Sequence, residues 1–266
     1  MIIYFSATGN SRLVASRLSK ELLDKTIVDA RGHMLTSPAS ASLDARGHKC
    51  IVWVFPIHAW AVPDILADFM SKVAIVGADE CIHHMVCTCG DDIGMTDRQW
   101  RRLMSARGWE TGVCASVQMP NTYVTFPGFD VDSRTVESIK LESAPIRVNE
   151  IAAMIKGQGT RQNELVVRGS FPQFKSKTLK HFFKSFLMNP TKFGVTDACI
   201  SCGLCASVCP TGNITLDETH RPQWGQECMI CLACYHICPR HAVKYGRQTR
   251  NKGQYQTGLK PADKIQ

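Results

Sequence analysis

Eight of the thirteen cysteines in this 266-residue chain stand between residues 199 and 238, at the spacing of metal ligands. They form the run Cys-x2-Cys-x2-Cys-x3-Cys-Pro twice, and each position of the first run recurs 29 residues later. The first run contains Cys199, Cys202, Cys205 and Cys209, and the second contains Cys228, Cys231, Cys234 and Cys238. Ile214 and Val243 also correspond, so the segment is an internal duplication. Cysteines this dense in a chain without an export signal indicate metal or cluster binding rather than disulfides.

The doubled run predicts two [4Fe–4S] clusters, each bound by four thiolates. Three cysteines spaced in this way form a tight turn around one face of the iron–sulfur cube, and the fourth ligand comes from the other run. One predicted ligand set is therefore Cys199, Cys202, Cys205 and Cys238, and the other is Cys228, Cys231, Cys234 and Cys209. Zinc is the alternative, but zinc sites usually combine two CxxC pairs at a longer separation.

A short loop near the start of the chain has the composition of an anion-binding site. The loop Ser6–Ser11 follows an apolar run and precedes a helical pattern. Successive backbone N–H groups in such a loop point at one spot, and the dipole of the following helix favours an anion there. Hydroxyls supply further donors, a glycine permits close approach, and the lack of a lysine suits a monophosphate. The predicted binding residues are Ser6, Thr8, Gly9, Asn10 and Ser11, and the alternative is an ordinary helix start capped by Asn10 or Ser11.

Residues 1–160 alternate short apolar runs with helical patterns, which predicts an α/β fold. The predicted strands are Ile2–Phe5, Thr26–Asp29, Cys50–Ile57, Ile82–Cys89 and Gly112–Met119, with helical patterns between them and a last one over 133–156. Such alternation indicates a doubly wound parallel sheet. A first strand that feeds a loop of this type fits the five-stranded flavodoxin-like order 2-1-3-4-5.

Both regions resemble known proteins. The segment Tyr4–Ser11 is similar to the FMN phosphate loop of flavodoxins, whose pattern is Ser/Thr-x-Thr-Gly-Asn-Thr/Ser, and residues 195–245 resemble a two-cluster bacterial ferredoxin. Their combination in one chain resembles the EFR-type flavodoxin–ferredoxin fusion family of anaerobic bacteria and archaea. The resemblance implies FMN as a third cofactor. It predicts an FMN-binding domain at 1–160 and a small α+β ferredoxin domain at 195–246. Composition alone marks a basic and aromatic connector at 161–194 and a loosely held polar tail at 247–266.

The loops after the third and fourth predicted strands are expected to hold the flavin ring. Trp60 is predicted to stack on the ring, with simple packing as the alternative, and His58 beside it is a surface histidine or a weaker candidate. Cys89, Gly90 and Asp91 are predicted to line the edge of the flavin.

Three further residues near the same edge have lesser predicted roles. Cys87 is expected to be a small buried side chain. Asn121 and Tyr123, which follow the fifth predicted strand, are second candidates for lining the site. Flavodoxins often place an aromatic residue after the fourth strand, and residues 88–94 contain none, which leaves the cover over the outer face of the ring open.

The charge of the chain is uneven. Residues 1–160 have a net charge of −1 and residues 161–266 a net charge of +9, which together give the formal +8. Two oxidised clusters with their thiolates carry about −2 each and lower the total to about +4. We therefore expect no nucleic-acid partner. The connector is predicted to be an amphipathic linker helix, with a docking surface for an acidic redox partner as the alternative.

Together these patterns predict an electron-transfer protein that links one-electron donors to a two-electron acceptor through two clusters and FMN. The alternatives are a flavin-dependent reductase of a quinone or another small conjugated substrate, and a flavin-free ferredoxin carrier. No nucleophile or other catalytic residue is recognisable, and a homodimer stays open. Because no apolar run could span a bilayer and residues 1–5 lack the features of a signal peptide, we expect a cytoplasmic protein. An electron-transfer role implies that its partner is a redox protein.

Overall fold

The structure is a computed structural model and describes residues 1–35, 42–157, 163–183 and 188–255. Residues 36–41 and 158–160 of the predicted FMN-binding domain lie outside the described residues, as do residues 161–162 and 184–187 of the predicted connector and residues 256–266 of the predicted tail. None of the described helices is long and apolar enough to cross a membrane.

A parallel sheet of six strands forms the centre of the N-terminal region. The strands of this region, in chain order, are β1 Ile2–Tyr4, β2 Ile27–Asp29, β3 Ser42–Asp44, β4 Cys50–Pro56, β5 Ala74–Val76, β6 Ile82–Cys89, β7 Thr111–Gln118 and β8 Glu164–Leu165. The sheet has the order β2-β1-β4-β6-β7-β8, while β3 and β5 pair with each other outside it. Every pairing within the sheet is parallel.

Helices cover both faces of the sheet. They are α1 Asn10–Leu22, α2 Ala30–Leu35, α3 Asp64–Lys72, α4 Thr96–Ala106 and α5 Arg134–Ile155, with a 3₁₀ turn at Ala78–Glu80. Side chains of α2, α3 and α4 share one hydrophobic core with Trp53 and Phe55, whereas those of α1 and α5 share a second core with Val52 and Val54. Alternate residues of one strand therefore enter different cores, which explains why the strand sequences are apolar throughout.

The predicted α/β class and the parallel sheet are confirmed, whereas the predicted number of five strands is wrong. The sixth strand, β8, lies within the predicted connector and pairs with β7 through Cys114 and Ala115. Strand β8 has only two residues, one of them an exposed glutamate, so its sequence shows no periodicity that would predict a strand. We call residues 1–157 with β8 the sheet region.

The C-terminal part holds a helical connector and two small hairpins. The connector helix comprises α6 Pro172–Phe174, a π-helical stretch at Lys175–Leu179 and α7 Lys180–Phe182, and a 3₁₀ turn follows at Pro190–Lys192. The cysteine region, residues 193–246, contains β9 Phe193–Val195, α8 Leu204–Ser207, β10 Ile214–Leu216, β11 Pro222–Trp224, α9 Ala233–Ile237 and β12 Val243–Tyr245. Strand β9 pairs antiparallel with β12, and β10 pairs antiparallel with β11.

The sequence duplication extends to the backbone. Strands β9 and β10 correspond to β11 and β12 at the same offset of 29 residues. Positive φ angles also recur at this offset: 53° at Ser201 and 54° at Ile230, then 75° at Gly203 and 62° at Leu232. Non-glycine residues rarely adopt this conformation. Its recurrence at matched positions indicates that the two cysteine runs form the same loop.

The cysteine region packs directly on the sheet region through the segment that follows β7. Val124 is fully buried in the hydrophobic core of the cysteine region. The His236 ring lies between the two regions, with Nε2 2.8 Å from the Thr122 carbonyl oxygen and Nδ1 3.1 Å from the Tyr255 backbone nitrogen. Since Nδ1 accepts the Tyr255 N–H, Nε2 is the nitrogen that donates.

Residues 247–255 do not match the prediction of a loosely held tail. Tyr255 is buried, and the Gln254 amide donates to the carbonyl oxygens of Tyr235 and Cys238. The Gly253 N–H donates to the Asp130 carboxylate at 2.9 Å. This segment therefore ties helix α9 to the loop after β7, by hydrogen bonds that its polar sequence does not reveal.

The stability of the sheet should depend on pH through His84. This side chain is buried between β6 and β7, its Nδ1 accepts the Val113 N–H at 2.9 Å, and burial lowers its pKa to about 4. In the unfolded chain the pKa is about 6.5, so the unfolded state binds more protons between these two values. The free energy of unfolding should therefore fall as the pH falls from 6.5 to 4, by about 3 kcal/mol from this group alone.

Urea midpoints at pH 7 and pH 5 measure this dependence. In His84→Gln the amide oxygen can still accept the Val113 N–H but cannot titrate, so the difference between the two midpoints should shrink. The same change at exposed His220 is the control and should leave the difference unaltered. An equal effect in both variants would contradict the role of His84.

Candidate cofactor sites

The structure brings the eight clustered cysteines together in two groups. Cys199, Cys202, Cys205 and Cys238, the outer cysteine set, line one cavity. Cys209, Cys228, Cys231 and Cys234, the inner cysteine set, line a second cavity. Each set takes three cysteines from one run and the fourth from the other.

Backbone N–H groups donate to the sulfurs at matched positions of the two repeats. The Asn213 N–H donates to Cys209 Sγ at 3.3 Å, and the Ala242 N–H donates to Cys238 Sγ at 3.2 Å. Hydrogen bonds of this kind set the reduction potential of an iron–sulfur cluster. Four sulfurs around a cavity, together with N–H donors, form a donor set that fits a [4Fe–4S] cluster.

Burial disfavours the thiolate form of four of these cysteines, Cys205, Cys228, Cys231 and Cys234. Burial raises the pKa of Cys205 to about 11 and that of Cys231 to about 12. Cluster binding requires thiolates, so it must release protons. In the described part of the chain no three His, Cys, Asp or Glu side chains converge where one ion could be held. Cluster ligation needs no such convergence, because each thiolate binds a different iron.

The two cysteine sets differ in their surroundings. In the outer set Cys202 is exposed, and the neighbouring Ile200 is 58% exposed. In the inner set Met229, which follows Cys228, packs against the core of the sheet region. A Cβ at Gly212 would lie 3.6 Å from Leu35 of α2. The inner set is therefore the one that faces the sheet region.

The N-terminal loop leaves the first turn of α1 without a side-chain cap. The cap position is Gly9, with φ 95° and ψ −23°, and this residue has no side chain that could cap the helix. The alternative in which Asn10 or Ser11 caps the helix is therefore wrong. Instead, Asn10 Nδ2 donates to the Pro120 carbonyl at 3.0 Å, and Ser11 Oγ lies 2.8 Å from Thr88 Oγ1. These bonds fix the loop against the ends of β6 and β7.

The polar groups of the N-terminal loop fit a ligand whose phosphate is attached to a chain that carries hydroxyl groups. Ser6 and Thr8 are buried at the helix terminus, and the Gly9 N–H donates to Ser6 Oγ at 3.1 Å. The open N-terminus of α1 and these hydroxyls suit an anion. Asn10 Oδ1 is buried without a hydrogen-bond partner among the described residues, and as an acceptor it would suit a ligand hydroxyl.

Trp60 lies in a tight turn and contacts the end of the connector helix. Ala59 and Trp60 have φ angles of 46° and 56°, and backbone hydrogen bonds of 2.9 and 3.1 Å between His58 and Ala61 close the turn. The Phe183 ring meets the indole edge-on, with 5.5 Å between centroids. The structure therefore shows packing around Trp60, and stacking on a flavin stays a prediction.

The predicted residues after β6 lie together at the carboxyl edge of the sheet. Cys89 is 5% exposed, and burial raises the pKa of its thiol to about 12, so it is a neutral side chain. A Cβ at Gly90 would lie 3.2 Å from Asn121 Oδ1, which brings the loops after β6 and β7 into contact. The carbonyl of Asp91 accepts a hydrogen bond from Gln118 at 2.8 Å.

Tyr123 joins this edge to the aromatic end of the connector, and Cys87 lies deeper in the sheet. The Tyr123 ring lies 6.2 Å from that of Phe183 and 5.9 Å from that of Phe129. Cys87 is fully buried, as expected. The Cys87 side chain is therefore remote from solvent, whereas Tyr123 borders the surface that the connector covers.

The connector helix packs over the loops after β4 and β6, a contact that sequence analysis missed. Ser176 Oγ accepts the Met95 N–H at 2.8 Å and donates to the Trp60 carbonyl at 3.0 Å. Lys175 forms an ion pair with Asp92. Phe171 and Phe174 remain 80% and 56% exposed, whereas Phe183 packs against Trp60, so the connector buries only some of its apolar residues. No short motif marks Ser176, because its partners are distant in the sequence.

Ser176→Ala should loosen the connector. The change removes the acceptor for the Met95 N–H and the donor to the Trp60 carbonyl, at a cost of about 1–3 kcal/mol. Limited proteolysis with trypsin should then cleave faster after Lys175 and Lys177. Exposed Ser143, which bonds within its own helix, is the control position for the same change. Equal cleavage rates for the native chain and Ser176→Ala would show that this serine does not fasten the connector.

Comparisons with known proteins agree with the cysteine geometry. The family described as 4Fe-4S binding domain matches residues 195–215. No curated protein matches the sequence.

Three solved structures similar to the chain belong to other bacterial proteins. A protein described as a flavoprotein from Bacteroides uniformis is 16% identical, covering 52% of this chain and 95% of its own, with a TM-score of 0.33. An FMN-dependent NADH-azoreductase from Bacillus anthracis is 12% identical, covering 58% and 98%, with a TM-score of 0.35. The Trp repressor binding protein from Bacillus subtilis is 11% identical, covering 56% and 96%, with a TM-score of 0.32. At these TM-scores the likenesses carry no argument, and the description of the fold rests on the strand order and pairing.

Proposed function

We propose that this chain is an iron–sulfur flavoprotein of the EFR-type fusion family that binds two [4Fe–4S] clusters and FMN. The observation that carries the proposal is the position of the inner cysteine set. A four-cysteine cavity faces the same region that holds an uncapped, hydroxyl-rich helix start. A contact between the inner cysteine set and the region that holds a candidate phosphate loop favours electron transfer between two cofactors over a flavin-free carrier.

The outer and inner cysteine sets would each hold one cluster. The exchanged fourth ligands, Cys209 and Cys238, hold the two repeats together, and the backbone donors at Asn213 and Ala242 orient their sulfurs. In this proposal the cysteine region is the ferredoxin domain and the sheet region is the flavodoxin-like domain. The segment over 120–131 and residues 247–255 keep the two domains at a fixed separation.

The N-terminal loop would hold the FMN phosphate. Ser6, Thr8 and Ser11 would supply hydroxyl donors, Gly9 brings the backbone close, and Asn10 would accept a hydroxyl of the ribityl chain. Trp60, Cys89, Gly90 and Asp91 would border the ring, beneath the connector helix. When bound, FMN exchanges one electron or two, whereas each cluster exchanges one, which permits conversion between one-electron and two-electron traffic.

Cofactor analysis tests the proposal. Protein purified without oxygen should contain about eight irons and about one FMN per chain, and dithionite should reduce the flavin with the clusters. Dithionite can reduce free flavin directly, so transfer is judged by comparison with a variant in which cysteines of the inner set are serine. Zinc in place of iron would contradict the clusters. A chain without flavin would contradict the FMN site.

A further inference from the structure

The two repeats place one residue of each cysteine run at an equivalent position on the rim of its cavity. Ile200 follows the first cysteine of the first run, and Met229 follows the first cysteine of the second, 29 residues later. The next residues have φ angles of 53° and 54°, so the local backbone is the same. Both Ile200 and Met229 line the cavity of their own set. Any difference in their surroundings therefore comes from the neighbour that each one meets.

At the inner set this position is an interface. Met229 is half-buried and packs against the core of the sheet region. At the outer set the equivalent Ile200 is 58% exposed, and Leu216 of β10 is 37% exposed. Leu216 belongs to the same surface, since a Cβ at Gly203 would lie 3.4 Å from Leu216 Cδ1. The position after the first cysteine is therefore covered by the sheet region in the second repeat and exposed in the first repeat.

We propose that Ile200, Gly203, Leu216 and Arg240, the outer-set face, form the docking site for an external one-electron carrier protein with an acidic surface. The proposal rests on the proposed function and adds its partner. Met229 shows that an apolar side chain at this position can pack against a protein surface, because it already does so against the sheet region.

Charge decides the kind of carrier. Arg240 is exposed and lines the outer cavity, and residues 161–266 carry a formal net charge of +9 before the clusters are counted. Three acidic residues lie nearby in the sequence, Asp197, Asp217 and Glu218. Asp217 is engaged within its own turn, where it accepts hydrogen bonds from the backbone of Thr219 and Arg221. An acidic carrier gains from the basic excess, and an apolar centre surrounded by charge is the usual form of a protein interface.

Binding of a probe carrier tests the proposal. The probe is an oxidised, acidic two-cluster bacterial ferredoxin, titrated into the cofactor-loaded protein by calorimetry at low salt. Ile200→Glu should weaken binding about tenfold or more, because it places a carboxylate against an acidic partner at the centre of the contact. Leu216→Glu, at the end of β10, should also weaken binding of the ferredoxin. Ile139→Glu on α5, where the isoleucine is 60% exposed, is the matched control and should leave binding unchanged.

Several results would overturn the proposal. The proposal fails if the ferredoxin does not bind the native protein. It also fails if the native protein and both outer-set variants bind the ferredoxin equally well. A concentration-dependent dimer in sedimentation that Ile200→Glu abolishes would assign the face to a second copy of the chain instead. Iron content of each variant shows whether a loss of binding reflects a lost cluster; a loss confined to variants that lack iron also counts against the proposal.

The same samples separate this proposal from the proposed function. If FMN is absent from the native protein but Ile200→Glu still weakens ferredoxin binding, the flavin assignment fails and the docking face stands. If iron, FMN and flavin reduction by dithionite are all intact while the outer-set variants bind normally, the docking face alone is wrong.

Discussion

A chain carrying both Cys199→Ser and Cys238→Ser should retain about four irons, whereas a chain carrying Cys199→Ser and Cys209→Ser should retain almost none. Cys199 and Cys238 line the same cavity, so the first pair of changes removes two ligands from one cluster and spares the other. Cys199 and Cys209 belong to the same run of the sequence but line different cavities, so the second pair damages both clusters.

Iron analysis of anaerobically reconstituted protein measures this contrast, and electron paramagnetic resonance of the reduced samples identifies the surviving cluster. Cys50→Ser, far from both cavities in the sheet region, is the control and should keep about eight irons. The opposite pattern, with Cys199 and Cys209 behaving as one unit, would mean that each run holds its own cluster. Serine is close in size to cysteine, so the differences report ligation more than packing.

The long strands were predictable because each is covered on both faces. Sequence analysis predicted Cys50–Ile57 and Ile82–Cys89, and the structure contains Cys50–Pro56 and Ile82–Cys89. A strand whose alternate residues enter two cores must be apolar throughout, and such a run stands out from its polar flanks. Sequence analysis missed β3, β5 and β8, which have no more than three residues each and lie at the edge of the six-stranded sheet or outside it.

The cysteine spacing indicates the ligands but not which set faces the sheet region. The two runs are equivalent in sequence, so nothing local distinguishes their positions. The difference lies in a tertiary contact, which buries Met229 and leaves Ile200 exposed. The surroundings of Trp60 were hidden for the same reason, since Ser176 and Phe183 are distant in the sequence.

Thr8→Asp should weaken FMN binding about a thousandfold. The new carboxylate should not destabilise the start of α1 in the flavin-free chain. Thr8 is 7% exposed and lies just before the uncapped start of α1. A carboxylate there interacts favourably with the helix dipole, by about 0.3–1 kcal/mol, and so takes the place of the ligand anion. Two like charges about 4 Å apart at an effective dielectric constant near 20 repel by about 4 kcal/mol, which corresponds to about a thousandfold in affinity.

Titration of FMN into flavin-free protein, followed by the quenching of flavin fluorescence, measures this affinity. Thr8→Val removes the hydroxyl without adding charge, and should weaken binding about tenfold to a hundredfold if that hydroxyl donates to a charged phosphate. Thr215→Asp on exposed β10 adds the same charge elsewhere and should have little effect. If Thr8→Asp bound FMN as tightly as the native chain, the loop could not hold the phosphate, however much flavin the protein contained. If Thr8→Val and Thr8→Asp lost affinity equally, the hydroxyl alone would account for the role of Thr8, because charge repulsion requires the aspartate to lose more.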